Sequence, residues 1–317
     1  MDRLYMAAKS ISNDVRRKSA SGGIFFELAK LVLDENGIVY GAAFTESWEV
    51  QHIRVSKEEE LPKLQGSKYP QSTIVTVLAD IKKDLNEGRR VLFCGTPCQA
   101  NAVLAYVGYS NRDKLLLCDI VCHGVTNSRL FKDFIELLEK KHGRIAEFKF
   151  RNKEAGWKKQ KWSAVFYTGK ECIETEEINA FHNLYSKNLI QRPSCYKCPF
   201  TTLDKKTDIT LGDFWGIERL NSNIEDTLGV SLIIIHSDKG LKYINKLNDK
   251  IITIECSKDQ CLQPQLISPT VKPTDYDDFW NEYVRCDQFI TVLKKYGYPP
   301  IMRRIKNRIK HIISKED

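Results

Sequence analysis

An α/β protein, its parallel or mixed sheet core flanked by helices, follows from three features of the chain. Up to Lys141, apolar runs of strand length alternate with segments of helical period. From Ile145 the texture changes to hairpin-like strands around a cysteine-containing loop, an additional β-rich region. From Tyr276 the chain turns helical and increasingly basic.

Taken in order, Ser21 reads as the N-cap of a helix over Ile24–Leu33, apolar at 24, 25, 28, 31 and 32, with Gly37 as its stop. Strands follow at Ile38–Phe44 and Val50–Val55, then a polar loop through Gly66–Ser72 and a helix ending near Asn86. Val91–Cys94 reads as a buried strand, and Pro97–Val107 as a helix with proline at its first position. Lys114–Ile120 is a strand and Asn127–Lys141 a helix. Ile145–Arg151, Trp162–Thr168 and Glu171–Ile178 read as strands, the second turn carrying Thr168-Gly169-Lys170. The loop Arg192–Phe200 precedes strands near Asp208–Gly212 and Val230–His236. Three segments organise this order: 1–72 at the amino end, an α/β domain over 73–255, and a helical basic extension over 256–317.

At 42% hydrophobic and 28% charged residues the chain has the composition of a globular protein with a core. Its net charge of +8 is offset by many carboxylates, and no stripe of Arg and Lys interleaves with aromatics, so nucleic acid is not an expected partner. The first ten residues hold no apolar stretch of signal-peptide length. The longest apolar runs, such as Val230–Ile235, are strands rather than spans, and a cytoplasmic location is the expectation.

Ten cysteines in a reducing compartment point to metal or redox chemistry rather than disulfides. Cys195 and Cys198 are spaced to face one metal, in a loop stiffened by Pro193 and Pro199. Cys98 falls in the first turn of its helix, where the macrodipole favours a thiolate. Cys122 follows a strand and precedes the turn at Gly124, at the sheet edge where open α/β folds bind ligands. These four thiols form a ligand set for a [4Fe–4S] cluster or a zinc ion, with Cys94 or Cys118 as substitutes. Cys172, Cys256, Cys261 and Cys286 lack such context and read as packing residues.

Two segments read as phosphate cradles. Ser21-Gly22-Gly23 at a helix start offers backbone N–H groups and a positive dipole end. Gly66-Ser67-Lys68 adds a cation and a hydroxyl, with Gln71 and Ser72 nearby. No Gly-x-Gly-x-x-Gly fingerprint follows a strand, so a nicotinamide site is not supported.

The ordered stretches Ser19-Ala20-Ser21-Gly22-Gly23, Gly66-Ser67-Lys68-Tyr69, Gly95-Thr96-Pro97-Cys98-Gln99, Cys122-His123-Gly124-Val125 and Gly212-Asp213-Phe214-Trp215-Gly216 resemble a known family. It is the beta-subunit family of coenzyme F420-reducing hydrogenase and F420-dependent formate dehydrogenase, which also includes chlorophyll-cycle hydroxymethyl reductases. The resemblance covers about residues 15–255 and implies an FAD-binding, iron–sulfur electron-transfer subunit. Its motifs add Tyr69, Thr96 and Gln99 to the cofactor-binding set. In the family-like stretch Arg151-Asn152-Lys153, Lys153 is a candidate to stabilise negative charge on a reduced flavin, and Trp157 to stack near it. His123 is a candidate proton relay. Longer relatives carry an amino-terminal ferredoxin-like segment, and this chain starts after the place where it ends. A separate ferredoxin-like electron donor is therefore expected, with a soluble hydride acceptor on the other side.

In the basic tail, Ile301, Ile305, Ile309 and Ile312 share one helical face. Docking of that helix on the body is the favoured reading, and contact with a membrane surface the other. Two further functions compete with electron transfer. One is a zinc-stabilised scaffold; the other is a transferase using Cys122 and His123 as nucleophile and base, although adjacent residues rarely face each other productively.

Overall fold

The computed structural model describes residues 2–220 and 223–299. Its strands and helices, in chain order, begin with β1 (Leu4–Ser10), α1 (Asn13–Lys18), α2 (Ile24–Asp34), β2 (Ile38–Phe44) and β3 (Val50–Val55). Then come α3 (Val75–Asn86), β4 (Val91–Gly95), α4 (Pro97–Val107), β5 (Leu115–Ile120) and α5 (Ser128–His142). The second half holds β6 (Ile145–Asn152), β7 (Lys161–Phe166), β8 (Glu171–Ile173), α6 (Glu176–Ser186), β9 (Ile209–Asp213) and β10 (Ser231–Ile235). It closes with α7 (Asp238–Asn245), β11 (Ile251–Cys256), α8 (Lys258–Cys261) and α9 (Tyr276–Arg285).

Eight strands form one mixed sheet in the order β11-β1-β10-β9-β5-β4-β2-β3. Its centre is parallel: β2 pairs with β4, β4 with β5, and β5 with β9. Antiparallel strands flank that centre on both sides. Apolar residues on one face, among them Leu92, Leu116 and Ile233, pack on Leu28 and Val32 of α2 and Ile244 of α7. On the other face Phe93, Leu117 and Tyr40 pack on Ile81 and Leu85 of α3 and Val103 of α4. A sheet covered on both faces needs near-continuous apolar strands, which is why Val91–Phe93 and Leu115–Leu117 do not alternate.

The second sheet, β6-β7-β8, is antiparallel and carries an aromatic core of Phe148, Phe150, Trp162 and Phe166 against Phe131 and Phe134 of α5 and Phe181 of α6. Gly169, at φ 79°, makes the turn expected between β7 and β8. The helical carboxyl end appears as α9 and a further turn at Phe289–Val292. The basic tail, with Ile301, Ile305, Ile309 and Ile312, lies outside the described residues.

Three element readings change. β1 and β11, like α1, α7 and α8, lie outside the elements read from the sequence, and both strands pair only with strands remote in sequence. The strand expected over Glu171–Ile178 ends at Ile173; Thr175 caps α6 by accepting from the Ile178 N–H, with Glu176 and Glu177 in the first turn. Ser21 is not the N-cap of α2. Gly23 holds that place in a left-handed conformation (φ 88°), and the Ser21 hydroxyl instead donates to the Val230 carbonyl at 2.8 Å.

Candidate functional site

A cavity of about 660 Å³ opens where the parallel strands β4, β5 and β9 reach their carboxyl ends. That volume is in the range of small-molecule and cofactor sites. Ser21, Gly23, Gly66, Ser67, Lys68, Tyr69, Ser72, Thr96, Gln99, Cys122 and His123 all line it. Stretches separated by tens of residues are brought together because the central strands deliver their following turns to one edge.

The amino end of α2 reaches the wall at Gly23 and Ile24. First-turn N–H groups have no partner within a helix and carry its positive dipole end. Lys68 is half-buried in the same wall; its Nζ donates to the Gln65 carbonyl at 2.8 Å, and burial pulls its ammonium down to about 7. Gly22 stands just behind. Its N–H donates to Ser231 Oγ at 2.9 Å, and a Cβ there would come within 2.4 Å of the Ala8 carbonyl oxygen.

α4 starts with a capping box. Thr96 N–H donates to Gln99 Oε1 at 3.0 Å, and Pro97 occupies the first turn. Gln99 Nε2 reaches across to the Ser72 carbonyl at 2.8 Å, and Ser72 Oγ lies 2.6 Å from His52 Nδ1. His52 Nε2 is 3.0 Å from the Cys94 carbonyl, so this ring donates there and accepts the Ser72 hydroxyl. Burial lowers His52 to about 4 and keeps it neutral. Thr96, Gln99 and Ser72 thus form a cross-braced wall rather than three separate contacts.

Tyr69 stacks on Tyr185, with ring centroids 4.5 Å apart, and Arg151 pairs with Asp213 at 2.7 Å. Tyr185, Arg151 and Asp213 also line the cavity. Arg151 Nε is buried with no partner among the described residues. His123 is held between Asn188 Oδ1, 2.7 Å from Nε2, and Gln265 Nε2, 3.0 Å from Nδ1.

The thiols gather on one side of the cavity. Cys122 lines it; burial first, then neighbouring Cys195, Cys98 and Cys198, push its thiol up to about 12. Burial also raises Cys195, with Cys198 and Cys98 adding to it. All four are free. Among the described residues no three His, Cys, Asp or Glu side chains converge closely enough to hold a metal ion. The four sulfurs are neighbours.

Cys118 is core, and Cys94 lies opposite it on the adjacent strand. Cys94 faces the cavity.

Four expected contacts fall outside the lining. Gly22 supports it from behind, and Gln71 is turned to the Arg192 guanidinium. Trp157 is buried, stacked on Trp215 at 5.1 Å. Lys153, expected beside a flavin, gives its Nζ to the carbonyls of Arg16, Ser21 and Leu228 at 2.8, 2.7 and 2.6 Å. It ties together the backbone ahead of α2 and of β10.

Two family models, the two halves of the coenzyme F420 hydrogenase/dehydrogenase beta subunit, match the chain. The carboxy-terminal half matches residues 88–259 and the amino-terminal half residues 5–79. The chain belongs to this beta-subunit family. The F subunit of F(420)H(2) dehydrogenase from Methanosarcina mazei is 22% identical over 263 residues, which are 81% of this chain and 66% of that protein. A chain of the F420-reducing [NiFe] hydrogenase complex from Methanosarcina barkeri matches with a TM-score of 0.53 at 18% identity, covering 79% of this chain and 81% of its own. At that identity the likeness shows the shared mixed α/β fold. The family is one of oxidoreductase subunits. No described helix of this beta-subunit relative is long and apolar enough to cross a membrane.

Proposed function

We propose that this chain is an electron-transfer oxidoreductase subunit that holds a [4Fe–4S] cluster on Cys98, Cys122, Cys195 and Cys198 and FAD in the adjoining cavity. The observation carrying this reading is that Cys122 belongs both to the group of four thiols and to the cavity wall. A shared wall of that kind suits electron passage between two bound groups.

When bound, the cluster supplies one-electron steps and the flavin joins them into hydride transfer. The residues present fit both groups. The N–H groups at the start of α2 and the Lys68 ammonium receive a diphosphate. Tyr69 and Tyr185 offer an apolar wall to a ring, and Arg151, buried beside Asp213, a cation near it. His123, anchored by Asn188 and Gln265, holds a proton at the rim. A bound metal cation would reverse the upward push on Cys122. A ferredoxin-like protein is the proposed donor, and a deazaflavin-like cofactor or small metabolite the acceptor.

Anaerobic purification tests this directly. The expected product is brown, with flavin and about four irons per chain, as a cubane requires. Colourless protein with one zinc and no flavin overturns the reading.

A further inference from the structure

Asp119 stands outside the cavity wall, yet its carboxylate is wholly buried. It is the penultimate residue of β5, paired with Thr210 of β9, and the ladder runs on to Val121, whose N–H donates to the Leu211 carbonyl at 2.8 Å. Asp119 and Cys122 are therefore carried on one firmly paired strand end. Oδ1 of Asp119 accepts the Thr210 hydroxyl at 2.5 Å and Oδ2 the Thr207 hydroxyl at 3.2 Å. Its remaining partner is a cation. The Lys205 ammonium lies 3.6 Å from Oδ2, on a side chain that is 3% exposed. A carboxylate taken out of water needs such a partner.

Lys205 belongs to the stretch that follows Cys198. Neither strand nor helix runs between Lys197 and Ile209, so side chains have to hold this stretch in place. The Thr201 hydroxyl donates to the Cys198 carbonyl at 3.0 Å, and Lys205 Nζ donates to the Phe200 carbonyl at 2.7 Å. Other fixings are weaker or farther off: the exposed Arg3–Asp204 pair adds little, and Arg112 reaches the Lys206 carbonyl at 3.3 Å. One buried ammonium thus joins the turn just after Cys198 to the strand that leads to Cys122.

We infer, on the four-thiol cluster reading, that Asp119 and Lys205 are positioning residues: a buried ion pair that sets the Cys195/Cys198 turn against Cys122 before any cluster is bound. A turn held in place beforehand removes the cost of ordering it from the binding step. The same restraint keeps Cys198 from swinging away from a bound iron. Neither residue touches the cluster itself; both act through the backbone that presents the thiols.

The test compares the full chain with Lys205→Met and with the double variant Asp119→Asn, Lys205→Met, which leaves no unpaired buried charge and serves where the single variant does not fold. Each is stripped of metal under reducing, anaerobic conditions, pulsed with iodoacetamide and mapped with trypsin. Cys198 is then read on a peptide beginning at 198, and Cys172, buried in the small sheet, on peptide 171–187 as the reporter of general opening. Alkylation of Cys198 should be at least about tenfold faster in the Lys205 variants, with Cys172 unchanged. In the iron-loaded proteins, loss of iron to a chelator should speed up by a similar factor. Lys239→Met is the control, because Lys239 pairs with the buried Asp208 at 3.4 Å while its Nζ binds the carbonyls of Arg112 and Leu115, away from the thiol turn. It should leave both Cys198 alkylation and iron retention as they are. Unchanged Cys198 alkylation in the Lys205 variants overturns the inference, as does an equal rise at Cys198 and Cys172, since the pair then stabilises the fold and no more. Normal iron retention despite a loosened turn overturns it too. An unsubstituted chain that takes up no iron refutes the cluster reading alone, because alkylation of the metal-free chains still decides whether the pair holds the turn.

Discussion

Lys68 has its Nζ on two carbonyls of its own loop, those of Gln65 and Gly66, and burial holds its ammonium near 7. An anion bound beside it favours the charged form and returns the group toward its ordinary value near 10.5. Below pH 7 Lys68 is charged with or without ligand, so affinity is flat there. Above pH 7 binding must take up a proton, and affinity falls by up to about tenfold per pH unit until the bound-state value is reached. Flavin titrations between pH 6 and 9 should show this slope, and Lys68→Met should remove it while weakening binding throughout. At the same scale, Cys98→Ser should lose most of the iron of the anaerobic protein. Cys94→Ser should keep it, because Cys94 is a strand residue of β4 set against the buried Cys118 of β5. Equal iron loss in both variants would count against the four assigned ligands. The cysteines and Lys68 could be picked out of the sequence because glycine, proline and paired-cysteine contexts mark them locally. His52, Tyr185 and the Arg151–Asp213 pair could not, since each gains its place from a partner far along the chain.

Among the elements, those whose ends are written in residues were the readable ones. Pro97 and the Thr96/Gln99 box start α4, and Asn127 caps α5 by accepting from Arg129 and Leu130 N–H groups. β1 carries no comparable signal, for its seven residues gain stability only by pairing with β10 and β11, more than two hundred positions away. α6 did carry its signal in Thr175-Glu176-Glu177, but the apolar residues before and after it also fit a continuing strand. The start of α2 is the element on which the cradle depends. Gly22 lies there against the backbones of β1 and β10, so Gly22→Ala would place a methyl 2.4 Å from the Ala8 oxygen and 2.7 Å from the Ser231 nitrogen. Neither is a flexible side-chain end, and the two strands must part. Overpacking of this kind costs about 1–3 kcal/mol. A lowered urea midpoint with an unchanged slope is the expected outcome; a midpoint equal to that of the unsubstituted protein would show that the strand pair yields freely.

Across the whole molecule, the two sheets meet where the cavity lies, and one side chain fastens three of the segments that converge there. Lys153 follows the last strand residue of β6, in the small sheet, and its Nζ binds the carbonyls of Arg16 and Ser21 ahead of α2 and of Leu228 ahead of β10. The sequence puts a cation at this strand end but holds no means of telling whether it faces a ligand or the backbone, because that depends on how the sheets dock. Burial disfavours its charge and draws the ammonium toward 7, while three carbonyl acceptors favour the charged form. Lys153→Met keeps the length of the stem and removes all three donors. Leaving several carbonyls without a partner in a partly buried site should lower stability by about 2–4 kcal/mol. The loss should be largest in the segments before α2 and β10, where amide exchange should speed up, and flavin affinity should fall with it because Ser21 and Gly23 lose their fixed position. Lys153→Arg should not restore the wild-type behaviour, since a planar guanidinium cannot reproduce three converging ammonium bonds. A Lys153→Met protein with normal stability and exchange but altered flavin chemistry would instead place Lys153 at the cofactor.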